Sequence, residues 1–206
     1  MSVIRRSVLS AVVAVSFVPA LPALAAPTVG QPAPAFTAKD ADGQTRSLAD
    51  YKGKVVVLEW TNEGCPYVQK HYKSGAMQKL QKSATGDGVV WLTVVSSAPK
   101  AQGYLAPDAA KAWRAKNNAG STALLIDSSG AVGKAYDART TPHMYVVDKT
   151  GKLAYMGGID DKPVADPASL NGATNYVSAA LDDLKAGRAV ATPVTKAYGC
   201  SVKYAG

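Results

Sequence analysis

Cysteine is scarce in this chain. Only Cys65 and Cys200 occur among 206 residues. They form no C-x-x-C pair, no zinc-type spacing and no dense disulfide framework. Histidine is equally sparse, with only His71 and His143, and the pattern asks for no metal and no bound cofactor. Runs of like charge are also missing. The formal net charge is +8, yet the lysines are scattered and no basic stripe with interleaved aromatics occurs. That distribution fits a solvated surface rather than a nucleic-acid interface. No internal repeat and no second domain are visible. What is plentiful is apolar residues, at 47% against 18% charged, enough for a globular core and too many for disorder.

The N-terminus reads as a secretory leader over residues 1–25. Arg5-Arg6 supply the charged region, Val8 to Val18 the apolar region, and Ala23-Leu24-Ala25 the A-x-A cleavage signature. The apolar stretch is too short to span a bilayer comfortably, so no stable membrane insertion is expected after cleavage. Ser7-Val8-Leu9 after the paired arginines matches the twin-arginine route weakly, which favours the general one. Export means an oxidising compartment, the periplasm in a Gram-negative cell or the exterior otherwise, where disulfides persist. The expected organisation is a leader over 1–25, one domain over 26–190 and a tail over 191–206 that carries Cys200.

The stretch Val55 to Tyr72, VVVLEWTNEGCPYVQKHY, organises the chain. Val55-Val56-Val57-Leu58 is apolar enough for a strand buried on both faces. Thr61-Asn62-Glu63-Gly64 are turn formers, and Pro66 suits the first turn of a helix. Cys65 therefore sits where a helix starts. Unpaired N–H groups and the positive end of the helix dipole favour an anion there, and a thiolate is one.

This segment resembles the active site of the thioredoxin-like redoxins of the AhpC/TSA type, in which an apolar strand and a short turn lead into Cys-X-X-Cys at a helix start. Cys65 occupies the first cysteine position and Val68 the second, so a local partner thiol is missing. Glu59 falls where many thioredoxins bury a carboxylate beneath the active site. The upstream pattern, from Gly30 through Pro34-Ala35-Phe36 and Asp40-Ala41-Asp42-Gly43 to Ser47-Leu48 and Tyr51-Lys52-Gly53-Lys54, resembles the N-terminal part of the redoxin and peroxiredoxin superfamily. Thr141-Pro142 resembles the cis-proline turn that faces the nucleophilic cysteine in that fold. The resemblance implies a thioredoxin-like α/β fold: a central mixed sheet flanked by helices, an N-terminal hairpin and a C-terminal extension.

The remaining pattern agrees. A helix is expected from Cys65 to about Lys82, then a buried strand over Val89–Val95, making a β-α-β unit that is parallel and right-handed. Ser96 to Pro107 is a candidate substrate-facing loop. A helix follows over Asp108–Asn118 with Asp108 as N-cap, then a strand over Thr122–Ile126 and a short helix over Gly130–Tyr136. Met144–Val147 and Leu153–Gly157 form a hairpin, and Ala173–Lys185 an amphipathic helix. The last residues form an irregular tail.

The candidate site residues are Cys65, Cys200, Glu59, Pro142 and His143. His143 follows the proline and is expected near Cys65, where an imidazole stabilises a thiolate or moves a proton. His71, six residues into the helix, is expected on the surface. Cys200 after Gly199 is expected to fold back as a distant resolving thiol. The leading function is an exported thiol–disulfide oxidoreductase that works on protein thiols and disulfides or exchanges electrons with a thioredoxin-type donor. A peroxiredoxin-like peroxidase is the alternative. That family uses a Thr or Ser three residues before the cysteine, where this chain has Asn62, and a later arginine, for which Arg139 is the nearest substitute. A third reading, copper delivery, rests on a thiolate–imidazole pair.

Overall fold

The computed structural model describes residues 26–205; the leader reading falls on residues 1–25, outside the described residues. Two faces of one sheet organise everything else. Its strands are β1 (Thr37–Asp40), β2 (Thr45–Ser47), β3 (Val56–Trp60), β4 (Val90–Val95), β5 (Ala123–Ile126), β7 (His143–Val147) and β8 (Leu153–Gly157), in the order β2-β1-β5-β4-β3-β7-β8. β3, β4 and β5 run parallel, and the remaining neighbours pair antiparallel. A two-stranded ribbon joins β6 (Thr140–Thr141) to β9 (Cys200–Ser201). The sheet is thus mixed and flanked by helices, as the sequence leads one to expect.

β3 lies inside the sheet between β4 and β7 and is buried along its whole length. Its alternation divides the core. Val56, Leu58 and Trp60 pack on one face with Leu92, Val94, Tyr136 and Tyr145. Val57 packs on the other with Cys65, Val68, Tyr72, Met77, Trp91 and Met144. Trp60, Tyr136 and Tyr145 meet edge-on or tilted at 5.1–5.5 Å between ring centres, separations at which aromatic pairs add to plain burial.

The expected single helix after Cys65 is two helices, α1 (Pro66–Lys73) and α2 (Ala76–Gly86). Gly75 breaks it, with φ at 78°, a left-handed backbone that only glycine adopts without strain. The break lets α2 turn Met77, Gln81 and Ala84 inward. Asp108 is not a cap: α3 (Pro107–Lys116) begins one residue earlier, with Ala106 at the N-cap position and Asp108 in its first turn. α4 (Ala131–Ala135) and α5 (Tyr176–Lys185) follow. α5 starts later than expected because the Asn175 side chain caps it, accepting from Ser178 N at 2.8 Å. Among the described residues no helix is long and apolar enough to cross a membrane.

The tail is where expectation and structure differ most. It is ordered by contacts rather than by its own pattern. Residues 193–195 run beside β8, with Met156 N donating to Pro193 O at 3.0 Å and Thr195 N to Met156 O at 3.1 Å. The chain then crosses to β6, pairing Cys200 with Thr141 and Ser201 with Thr140. Ala98 N donates to Lys203 O at 2.7 Å, which ties the end of the strap to the 96–106 loop.

Leu58, fully buried at the sheet centre, tests this description. Leu58→Ala is expected to lower unfolding free energy by about 3 kcal/mol, within the roughly 2–5 kcal/mol range for large-to-small core changes. Urea unfolding should show a lower midpoint with an unchanged slope. A loss below about 1 kcal/mol would mean that the strand is not central.

Candidate functional site

The turn after β3 is built by Asn62. Its Oδ1 accepts from Gly64 N at 2.9 Å, and its backbone O accepts from Cys65 N at 3.0 Å. Cys65 is the N-cap of α1 with Pro66 next, and its carbonyl accepts from Val68 N and Gln69 N at 3.0 and 2.9 Å. The cysteine is fully buried. Its Sγ–H donates to Thr141 O at 3.0 Å, and the Thr141–Pro142 peptide bond is cis. The helix start and the proline turn thus lie against each other across 76 residues of chain.

Cys200 lies opposite Thr141 in the ribbon, the residue whose carbonyl takes the Cys65 thiol, so the two cysteines flank one peptide group. Both are free thiols. Their acidities are driven apart. Burial pushes the Cys65 thiol up, but hydrogen bonds from the Cys200 side chain and backbone, from the Val68 N–H and from Thr141 outweigh it and hold Cys65 below the ordinary thiol value. Cys200 is pushed up to about 11 by burial and by the neighbouring Cys65 charge. The pair therefore holds its negative charge on Cys65, with Cys200 as the S–H donor.

Glu59 is buried on the same side of the sheet. It accepts from Trp91 Nε1 at 2.8 Å, Tyr72 Oη at 2.8 Å, Gln81 Nε2 at 2.9 Å and Thr93 Oγ1 at 3.3 Å. Burial raises its carboxyl to about 7 despite these donors. None of the four donors is Cys65, so any effect on the thiol passes through space. The helix break at Gly75 is what brings Gln81 to this carboxylate.

His143 is a correction. Strand parity puts it on the Tyr145 and Val147 side of β7, while Met144 and Val146 face the Cys65 side. Its Nδ1 lies 3.3 Å from Arg139 N and 3.2 Å from Tyr145 Oη, and its ring lies against Tyr145 at 4.6 Å. The thiolate–imidazole pair of the copper reading is therefore not assembled. Arg139 also turns away: its guanidinium pairs with Asp137 at 2.8 Å and its side chain is 77% exposed.

His71 is the second correction. It is buried, not exposed. It belongs to a polar cluster absent from the sequence reading. Lys70 Nζ donates to Asp160 Oδ2 at 3.3 Å, Lys162 O at 2.7 Å and Tyr198 Oη at 3.2 Å. Tyr198 Oη donates to Asp160 Oδ1, and His71 Nε2 lies 3.4 Å from Tyr198 Oη. The only local signal was Tyr198, two residues before Cys200. The candidate loop also closes on the site: Gln102 Nε2 donates to Gly64 O at 3.2 Å, and a Cβ on Gly103 would meet the Asn62 amide at 2.5 Å.

A cysteine that opens a helix beneath a cis-proline turn, on a mixed sheet flanked by helices, defines a thioredoxin-like redox protein, an oxidoreductase. More narrowly, the chain belongs to the AhpC/TSA family, which matches residues 29–156. It is similar to an uncharacterized conserved protein from Geobacillus kaustophilus, with 27% identity, a TM-score of 0.74, and coverage of 86% of this chain and 93% of that one. A hypothetical protein from Sinorhizobium meliloti is similar at 25% identity and TM-score 0.74, covering 86% and 95%. A putative thiol:disulfide interchange protein DsbE from Chlorobium tepidum shares the fold at 21% identity and TM-score 0.52, covering 64% and 85%. No curated protein matches the chain.

Buried His71 fixes a pH dependence. Burial pulls its imidazole down to about 4, with Asp160 opposing and Lys70 assisting. The native state keeps the ring neutral while the unfolded chain protonates it below about 6.5. Stability is therefore intact above about pH 6.5 and falls as pH drops toward 4, by a loss approaching about 3 kcal/mol. His71→Gln should flatten that part of the profile in denaturant titrations between pH 4 and 7. An unchanged slope would mean that His71 stays protonated when folded.

Proposed function

We propose that this chain is an exported thiol–disulfide oxidoreductase in which Cys65 is the nucleophile and Cys200 the resolving thiol. The observation that carries this reading is the convergence of the two cysteines on Thr141, with one thiol held low and the other pushed up to about 11. Cys65 thiolate attacks one sulfur of a partner disulfide. A Cys65–partner bond forms and the other partner sulfur leaves as a thiolate. Cys200 then loses its proton and attacks the Cys65 sulfur, giving the Cys65–Cys200 bond and a second partner thiolate. The partner gains two electrons and this chain loses two, which a dithiol donor of the thioredoxin type returns.

The second step has a built-in trigger. Apart from burial, the influences that raise Cys200 are the hydrogen bond and charge of Cys65, while Lys203 lowers it. Once Cys65 is in a mixed disulfide, that charge is gone. Cys200 then ionises more readily when it has to attack. Because the reduced thiolate is stabilised, the internal disulfide is the more oxidising.

In this reading Pro142 holds the Thr141 carbonyl against the thiol, and Glu59 supplies a carboxyl near 7 on the same face. His143 has no part in it. The mature protein begins near Ala26, with 26–190 as the redox domain and 191–206 delivering Cys200. A peroxidase is disfavoured because Asn62 spends its amide oxygen on the turn and Arg139 points outward.

The test is Cys200→Ser incubated with a disulfide-bonded protein and analysed by non-reducing peptide mapping. It should accumulate a mixed disulfide at Cys65 and lose steady-state turnover, while Cys65→Ser should capture nothing. Wild type oxidised without forming a Cys65–Cys200 peptide would refute the pairing.

A further inference from the structure

The strap over the site is held in an unusual way. No residue from Leu181 to Ala205 is fully buried; the tail's apolar contacts with the core are the partly buried Val190, Tyr198, Cys200 and Val202. What it covers is closed off: Cys65 is 0% exposed, Lys70 and His71 1%, Thr141 and Asp160 3%. A cover held by short runs of hydrogen bonds and by side chains that are only partly buried, over a fully closed site, is an element of low local stability. Its fixings can be named. One is the two-residue ladder to Thr140–Thr141, extended by Val202 N donating to Arg139 O at 3.0 Å. A second is Tyr198, which is caged by Asp160, Lys70 and His71. Its ring lies edge-on to Tyr67 at 5.8 Å and 5.1 Å below the Lys70 ammonium. A third, farther along, is the Tyr204 hydroxyl on Ala138 O.

The chemistry of that cage bears on release. Lys70 and Asp160 form an ion pair without solvent exposure, and Tyr198 lies against both. Burying an ion pair carries a desolvation penalty that its own attraction barely repays. Lifting the strap returns these groups to water, which offsets part of the loss. An apolar cover would have no such compensation. The strap therefore has the construction of a part that opens.

Its geometry shows what it stands in for. The strand runs antiparallel to β6 and sets a cysteine opposite Thr141, the residue whose carbonyl takes the Cys65 thiol. A partner cysteine in an extended segment has to take that same position to meet Cys65. Gly199 lets the backbone come this close: its φ is +131°, and a Cβ there would fall 1.9 Å from Thr141 O. We propose that the strap is a built-in occupant of the docking edge at Thr140–Thr141, that Tyr198 is its latch, and that the partner is an extended, cysteine-bearing protein segment that replaces residues 199–202 strand for strand. This deepens the thiol–disulfide reading and rests on it for the identity of the partner.

The experiment reads access to Cys65 separately from turnover. In the Cys200→Ser background Cys65 is the only cysteine, and its alkylation by a maleimide is followed under native conditions with and without Gly199→Ala or Tyr198→Phe. Gly199→Ala, which keeps the strap from seating, should speed alkylation by at least about tenfold, and Tyr198→Phe, which removes only the hydroxyl, by a few-fold. A synthetic peptide of residues 197–203 carrying Cys200→Ser is then added. It should protect Cys65 in the Gly199→Ala protein and have little effect on the parent. Unchanged alkylation in both variants overturns the cover. Faster alkylation that the peptide does not suppress overturns the docking edge. Should Gly199→Ala fold poorly, Tyr198→Phe with and without peptide decides alone. If access behaves as expected but no mixed disulfide forms with a protein disulfide, the thiol–disulfide reading fails and the strap does not.

Discussion

Much of the site depends on the backbone of Thr141. Its carbonyl takes the Cys65 thiol from one side at 3.0 Å. The same residue pairs in a ladder with Cys200 from the other. Two cysteines that are remote in sequence meet because each is referred to one peptide group, and neither has to find the other directly. The demand for close approach then propagates outward: Gly199 must lack a side chain, and the tail must cross from the β8 edge to reach the ribbon. A backbone group is a suitable common reference because it is set by the sheet and not by a rotamer.

Beneath that contact lie two polar systems of opposite character. Glu59 is fully buried and met by four neutral donors, and its carboxyl lies near 7. Its stabilising contribution is complete below about pH 4.5 and is lost as pH rises through about 7. The Lys70 cluster is a paired charge roofed by a movable tyrosine, and its histidine is destabilising in acid. The first is sealed by α2 and the sheet, the second by the strap together with the 160–162 segment. Burial of a charge under secondary structure and burial under a tail look alike in exposure but differ in how readily each is undone.

The parts of this arrangement legible in the sequence were those with short-range causes. The apolar run of β3, the turn formers before Cys65 and Pro66 after it fix strand, turn and helix start locally. The hairpin of β7 and β8 announces itself through Asp148 and Gly151 in the turn. Gly75 was harder: the residues on both sides keep helical character, and one glycine in a helical pattern does not say whether it is tolerated or breaks the helix. The facing of His143 was undetermined because strand alternation fixes which residues share a face but not which face meets Cys65. His71 was misplaced for a related reason. Helical rotation put it away from Cys65, but whether that second face meets water depends on Asp160 and Tyr198, far along the chain. The tail had no periodicity to read, since its path is imposed entirely by what it touches.

Val68 explains why a partner thiol has to come from so far away. It stands where a local second cysteine would be, is buried in the core with Tyr72 and Trp113, and its N–H donates to the Cys65 carbonyl at 3.0 Å. With that position given to packing, the resolving sulfur has to arrive on another segment, and the segment that brings it also covers the site. On the proposed chemistry, forming the Cys65–Cys200 bond would fasten the strap covalently, closing a loop of over a hundred residues and removing the entropy that favours its release. Reduction would return the strap to its hydrogen bonds, its two tyrosines and a few partly buried apolar contacts. Access to the docking edge would then belong to the reduced chain alone, so that a protein carrying an internal disulfide meets an open site only when this chain has electrons to give. A C-x-x-C pair, with both sulfurs on one helix, has no means of coupling its redox state to the cover above it.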